Sequence, residues 1–397
     1  MNRFIIIAAC LVVSVGSCKK EQTKILITET FDNGPTDSLR LNQIQVIASH
    51  NSYHLYPDDS VYALLLRLDS LGFLPSQYAP TGIDYTHLPF EQQFDDYNVR
   101  GLEIDFYNDP VGGQFYYWKG RKLLGLDYES HIPELLQPGF KIVHIPDFDY
   151  RTNYYTFVAS LKAVYNWSVA HPNHLPIFIN IETKEEAVGD EPAASGLDLT
   201  HAIPFDASAC DKIDEEIKSV FGENLDKVIT PDDVRGTYAT LEQAALANNW
   251  PQLAQARNKV VFIMQGPAES LYKAGHPSLQ GRAMFVYSNP GTPEAAFVIY
   301  NSPGSQFNSI RNRVSQGYIV RTRADDGTTE ARTGDYTQMN KAFDSWAQIV
   351  STDYYKADAR AGNTGWTDYH VQFPNGELVR IDSVSAPAQL NLGLIKE

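Results

Sequence analysis

GLEIDF at residues 101–106 sets two carboxylates, Glu103 and Asp105, two positions apart in an otherwise apolar run. Side chains alternate across a β-strand, so Glu103 and Asp105 share one face while Leu102, Ile104 and Phe106 take the other. An isolated pair of this kind fits a half-solvated strand. Here the pattern recurs in IFINIETK at 177–184, where Asn180, Glu182 and Lys184 lie on one face and Ile177, Ile179 and Ile181 on the other. Isoleucines on the outer face can pack against helices. The polar set of each strand then points inward, at one cavity.

Outward from these two segments, short apolar runs alternate with longer polar or amphipathic stretches. The strand candidates are 44–49, 101–106, 141–145, 176–181, 259–265, 282–287, 296–300, 318–322 and 348–351. Helix candidates between them are 60–71, 155–169, 209–221, 241–247 and 338–346. This repeated alternation predicts an α/β fold, a (β/α)8 TIM-type barrel. Nine candidates compete for about eight places, so one of 282–287 and 296–300 is expected to be accessory. Residues 52–98 form an insertion after strand 1 and 184–258 one after strand 4, and 370–381 reads as a C-terminal hairpin around Pro374-Asn375-Gly376.

The strand ends carry the chemistry. IQVIAS at 44–49 runs into His50-Asn51, GLEIDF carries Glu103 and Asp105, KIVHIP at 141–146 carries His144, and the fourth run carries Asn180, Glu182 and Lys184. Barrels of this kind keep their active sites at the C-terminal ends of the strands. Carboxylates and an amide oxygen aimed at one cavity repel unless a cation neutralises them. Oxygen ligands without cysteine suit calcium or magnesium. Two histidines beside such an ion can move protons.

ASHNSYH at 48–54, RGLEIDFY at 100–107, KIVHIPDFDYRT at 141–152 and PIFINIETK at 176–184 resemble the core motifs of the bacterial calcium-dependent phosphatidylinositol-specific phospholipases C. The likeness extends through 241–264, 275–285, 317–333 and 348–355, in the family's order. It implies a phosphodiesterase that binds Ca2+ through Asn51, Glu103, Asp105 and Glu182 and uses His50 and His144 as its catalytic pair. The implied reaction is attack of an inositol 2-hydroxyl on the phosphodiester, giving diacylglycerol and a cyclic inositol phosphate. On this reading His144 is the general acid, His50 stabilises the pentacoordinate phosphorus and Glu103 is the base, although the two histidines are interchangeable. Lys184 is expected at the phosphate. Arg321 and Tyr355 are further substrate-binding candidates. Arg321 and Arg323 are expected to place at most one side chain inward. Asp147 and Asp149 are expected to shape a loop, with a hydrogen bond to a histidine, and His54, His87 and His131 have no evident partner.

Composition bounds the rest. The 397 residues are 43% hydrophobic and 20% charged, which fits a globular chain with a large core. A net charge of −16 argues against nucleic acid and against docking on anionic bilayers by bulk electrostatics. Residues 1–18 read as a lipoprotein signal segment: a polar start at Asn2-Arg3, an apolar run too short to span a bilayer, and Gly16-Ser17-Cys18, with Cys18 the lipidation site. Residues 19–40 read as a flexible tether and 41–397 as a single catalytic barrel. Cys210, alone once the signal is removed, is expected to be structural. The expected setting is the bacterial cell envelope, facing periplasm or exterior, with a lipid-anchored monomer acting on an inositol phospholipid. Two rivals share the pattern: a glycerophosphodiester phosphodiesterase, which typically begins with His-Arg-Gly where this chain has His-Asn-Ser, and a non-catalytic lipidated protein that captures inositol phosphates.

Overall fold

The computed structural model of the chain describes residues 34–72, 74–387 and 395–397. The signal segment with Cys18, and the tether as far as residue 33, lie outside the described residues. Eight strands form the central sheet: β1 (Ile44–Ser49), β2 (Gly101–Tyr107), β3 (Ile177–Lys184), β4 (Val260–Gln265), β5 (Phe285–Val286), β6 (Phe297–Ile299), β7 (Ile319–Arg323) and β8 (Ile349–Thr352). Their order is β5-β4-β3-β2-β1-β8-β7-β6, with every pairing along it parallel. A parallel bridge from Tyr287 to Phe297 joins the two ends of that order. The result is the expected TIM-type barrel.

Residues of β1, β2 and β8 are all buried, as parallel strands between a filled interior and a helical jacket must be. Ile177, Ile179 and Ile181 pack in the outer core with Leu161 and Val164 of the helix Phe157–Ala170 and with Ile213 and Ile217 of Ala207–Phe221. Side-chain caps start these helices: Thr156 accepts from the Ala159 amide and Asp206 from the Ala209 amide. Cys210 is buried in the second of them, and burial pushes its thiol up to about 11, consistent with a structural residue.

Four expectations fail. Residues 141–145 are not a barrel strand, because β2 pairs directly with β3 over its whole length. The segment makes only single antiparallel bridges, Lys141 to Tyr107 and to Thr156, and Ile145 to Asp149. Its apolar residues are nevertheless buried, Ile142 in the main core and Val143 and Ile145 in a second apolar cluster with Tyr107, Phe115, Phe148 and Tyr150. Burial, not strand pairing, explains the run. With that candidate removed, both 282–287 and 296–300 supply barrel strands, so neither is accessory, and the second long insertion follows the third strand. Nor is there a terminal hairpin: Pro374–Gly376 is a short helical turn, and β9 (Arg380–Ile381) pairs antiparallel with Ile44 and Gln45. Those two residues precede the β1–β8 pairing, which begins at Val46, and so have backbone groups to offer.

The end of the segment read as a tether is packed. Leu39 is fully buried, the Leu253 amide donates to its carbonyl, and Arg257 pairs with Asp37 at 3.0 Å. A helix over Pro303–Gln316, unforeseen in the sequence, buries only Pro303, Ile310 and Val314, too sparse a stripe to read as periodic.

The β1–β2 contact is tight at one point. A Cβ on Gly101 would lie 2.5 Å from the Cβ of Ala48 on the neighbouring strand. Gly101→Ala should therefore destabilise the fold by about 1–3 kcal/mol through overpacking, read as a lowered midpoint in urea. An unchanged midpoint would mean the two strands can separate without cost.

Candidate active site

The β2–β3 register brings the acidic residues together. Glu103 sits opposite Asn180, and Asp105 opposite Glu182. The next register pairs Glu182 with Gln265 at the end of β4. Carboxylate oxygens of Glu103, Asp105 and Glu182 lie within 4.8 Å of one another. Asn51 lies in the turn after β1, whose Ser52 amide donates to the Glu103 carbonyl at 2.9 Å, and has a left-handed φ of 44° that an asparagine tolerates.

Fixed donors surround this cluster. Gln265 donates to Glu103 Oε1 at 3.1 Å and to Glu182 Oε2 at 2.8 Å. Arg321 pairs with Glu103 Oε2. Lys184 Nζ stands 3.5 Å from Asp105 and 3.4 Å from Glu182. The carboxylates respond differently. Burial, reinforced by Glu182, pushes Asp105 well above the usual carboxylate range. Burial also opposes ionisation of Glu182, but Lys184, His50 and the Gln265 hydrogen bond outweigh it and hold that residue low. Lys184, against its own burial, is held charged by Asp105 and Glu182.

Several oxygens have no partner. Asn51 Oδ1, Asp105 Oδ1 and Asn180 Oδ1 are buried and accept no hydrogen bond. Buried acceptors are rarely left so. The carboxylate cluster, with the unpartnered oxygens of Asp105 and of Asn180 opposite Glu103, is an all-oxygen set that fits a hard divalent cation.

Both histidines are anchored from behind. His50 Nδ1 meets Asp353 Oδ1 at 2.7 Å, with Nε2 4.0 Å from Glu103. His144 Nδ1 meets Asp149 Oδ2 at 2.7 Å. Each remains partly exposed, at 19% and 17% of its side chain, which leaves a ring edge open to the mouth. Burial lowers both pKa values. Arg323 lowers that of His50 further, while Asp149 partly offsets the effect at His144. A neutral ring whose Nδ1–H donates to a carboxylate presents its Nε2 lone pair.

Asp149 Oδ2 also takes His54 Nε2 at 2.7 Å, so one carboxylate oxygen holds two imidazoles. Asp149 stays low despite burial because both histidines favour its charged form. Asp147 shapes the loop as expected, accepting from the Lys119 amide at 2.9 Å and the Thr200 amide at 2.6 Å. His87 has a partner too, the His50 carbonyl at 2.7 Å. His131 is exposed beside Asp127 at 3.2 Å.

Two expectations about the far side are corrected. Arg321 and Arg323 both face inward, because residues two apart on a strand share a face: Arg321 reaches Glu103, and Arg323 reaches Asp353 at 3.1 Å. Tyr355 is not at the mouth; it is fully buried, stacks on His87 and accepts from the Leu88 amide at 2.9 Å. Sequence reading missed Asp353 and Gln265, although each directly follows or ends an apolar strand and the strand-end rule would have found both. Beside Glu182 and Lys184 a cavity of about 470 Å3 opens, lined also by Glu185, Glu186 and Pro267.

Fold and site together define a phosphodiesterase of the TIM-barrel type, with an acidic mouth flanked by two carboxylate-anchored histidines. The chain belongs to the Ca2+-dependent phosphoinositide phospholipase C family, whose model matches residues 39–383. Among solved structures it is similar to a calcium-dependent phosphoinositol-specific phospholipase C from a Gram-negative bacterium, Pseudomonas sp, at 17% identity over 85% of this chain and 98% of that one, TM-score 0.48. It is also similar to a Ca2+-dependent phosphatidylinositol-specific phospholipase C from Streptomyces antibioticus, at 16% identity over 79% of this chain and 94% of that one, TM-score 0.48. A glycerophosphoryl diester phosphodiesterase from Parabacteroides distasonis aligns at 11% identity over 80% of this chain and 85% of that one, TM-score 0.28. No curated protein matches the sequence.

The buried histidines give the fold a pH signature. Burial lowers His87 to about 3, whereas an unfolded histidine titrates near about 6.5. Between these values the unfolded chain binds the extra proton, so stability is present above about pH 6.5 and lost as pH falls towards 3. His87→Gln, whose amide can still donate to the His50 carbonyl, should flatten that acid slope by up to about 1.4 kcal/mol per pH unit. Urea titrations at a series of pH values check this; identical slopes would rule His87 out.

Proposed function

We propose that the chain cleaves phosphatidylinositol-type lipids to diacylglycerol and a cyclic inositol phosphate. The observation that carries this reading is the pair of histidines, each fixed through Nδ1 on a buried carboxylate, flanking an oxygen cluster with unpartnered acceptors. Asn51, Glu103, Asp105 and Glu182 would hold Ca2+, with Asn180 Oδ1 beside them. When bound, the ion supplies charge stabilisation at the phosphoryl oxygens and a lowered pKa for the inositol 2-hydroxyl.

His50 is the group we assign to take the 2-hydroxyl proton. Its neutral ring and open Nε2 support this, whereas the charge of Glu103 is already shared with Arg321 and is assigned here to the ion. The new O–P bond forms as the P–O bond to glycerol breaks, and the departing alkoxide needs a proton. His144 is assigned as its source: the phosphodiester's negative charge favours the imidazolium, which Asp149 stabilises from behind. Lys184, beside Asp105 and Glu182, is assigned to contact phosphate. Among the described residues, the cations at the mouth are already paired: Lys184 with Asp105 and Glu182, Arg321 with Glu103 and Arg323 with Asp353. That supports an inositol ring without extra phosphates. A bacterial envelope setting with the Cys18 anchor belongs to the same proposal.

Purified residues 19–397 incubated with micellar phosphatidylinositol should release cyclic inositol phosphate, seen by phosphorus NMR, with calcium and not with a chelator. His50→Ala should abolish the signal. Cleavage of glycerophosphodiesters with no turnover of inositol lipids would overturn the assignment. Calcium should also raise the melting temperature of the wild type and not of Glu182→Gln, a readout independent of turnover.

Asp149→Asn should lower kcat by roughly 10- to 100-fold with little change in KM, since it removes the anchor of His144 and no contact to substrate. A rise confined to KM would place Asp149 in substrate binding instead.

A further inference from the structure

The carboxylate that anchors His144 has little else to hold it. Asp149 is buried, yet its Oδ1 accepts no hydrogen bond. Among the described residues its Oδ2 meets two partners, both imidazoles and both at 2.7 Å: His144 Nδ1 and His54 Nε2. A buried carboxylate with one bare oxygen gains by turning towards any donor within reach. Take His54 away, and the one side-chain group left to oppose that rotation is His144 itself.

His54 is well placed to resist it, because its own backbone is fixed on both sides. Its amide donates to the Asn51 carbonyl at 2.8 Å, and its carbonyl accepts from the His87 amide at 2.8 Å. It bridges antiparallel to Thr152, just after Asp149, and the Asn153 amide donates to the Tyr53 carbonyl at 2.8 Å. The ring lies against Tyr85 with centroids 4.5 Å apart and meets the ring of His144 edge-on at 5.8 Å.

The side chain of His54 is wholly shielded from solvent, and its Nδ1 has no partner. As a filler of space such a ring is poor, since an apolar side chain would leave no bare nitrogen in the core. What an apolar ring could not do is donate to Asp149. That second donor fixes the direction of the carboxylate, and with it the direction of the His144 ring. Small misplacements of a catalytic group cost up to about 100-fold in rate.

We propose that His54 is a positioning residue for His144: through the shared Oδ2 of Asp149 it holds that imidazole in line with the leaving oxygen of the substrate. The proposal rests on His144 acting as the acid in the reaction proposed above, and its test separates the two. The kinetics of His54→Leu, Asp149→Asn and the double variant are compared on phosphatidylinositol with calcium present. His54→Leu should lower kcat about tenfold with KM within about twofold, and should add less than about twofold to the loss in Asp149→Asn. His54→Gln, whose amide can donate to Asp149 in place of Nε2, should recover most of the kcat that His54→Leu loses. A full tenfold loss repeated in the Asp149→Asn background, an effect confined to KM, or a glutamine no better than leucine would overturn the proposal. Nitrogen NMR of the imidazole rings reads the same bond without turnover. At neutral pH His144 should carry its proton on Nδ1 in the wild type and in His54→Gln, and become a mixture of tautomers in His54→Asn, whose amide is too short to reach Asp149. A His144 tautomer unchanged in His54→Asn would overturn the positioning even where His54→Leu fails to fold. Absence of inositol lipid cleavage by the wild type would overturn the function proposed above, while the NMR spectra still decide the positioning.

Discussion

Glu103, Asp105 and Glu182 are forced into one small volume by strand register, and the rest of the mouth answers to their mutual repulsion. Parallel pairing of β2 with β3 leaves no freedom to separate them. Lys184 and Arg321 supply positive charge from either side, and Gln265 supplies two amide hydrogens. Even so, Asp105 is driven towards its neutral form and one of its oxygens stays without a donor. The family is Ca2+-dependent, and a cluster of this kind could hold a metal ion.

Behind that first ring stands a second, which fixes imidazoles and not ions. Asp353 and Asp149 are buried and meet a histidine Nδ1 at the same distance. They differ in company. Asp353 is tied to Arg323 and lies next to Asp325, which burial and Asp353 push up to about 8. Asp149 is shared with His54. One anchor is therefore tuned by cationic and acidic neighbours, the other by a second imidazole. That asymmetry gives the two histidines different electrostatic settings although the ring geometry at each is alike.

How much of this could be read in advance follows from what strand periodicity encodes. The inward face of GLEIDF and IFINIETK was legible because alternation is enforced by the backbone itself. The same rule, applied consistently, puts Arg321 and Arg323 on one face. Residues 141–145 misled because burial in a second apolar cluster produces the same run of side chains as burial in a sheet. Asp149 could be suspected as a histidine partner from its nearness in sequence, but its bond to His54, 95 residues away, is a product of the fold. Tyr355 shows the reverse case: it follows β8 closely, yet its ring turns back under His87 into the core.

The two ends of the barrel carry different burdens. Leu39 packs near Leu253, ahead of β4, and Glu397 pairs with Arg100, ahead of β2, and accepts from the Leu175 amide, ahead of β3. Strand β9 meets the first residues of β1. All of these contacts lie at the N-terminal end of the barrel, the end that in such folds serves stability. The opposite end is left to the long excursions after β1, β2 and β3. Val61 and Leu65 from the first, Phe115, Val143, Ile145, Phe148 and Tyr150 from the second, and Ala194 and Leu199 from the third form a separate apolar cluster there with Tyr107. A loop that must hold His144 to within hydrogen-bond precision cannot be loose, and that cluster gives it a core of its own. The exposed Leu123, Leu124 and Leu126 lie outside this core although they belong to the same excursion, so its packing is concentrated where the histidine is held.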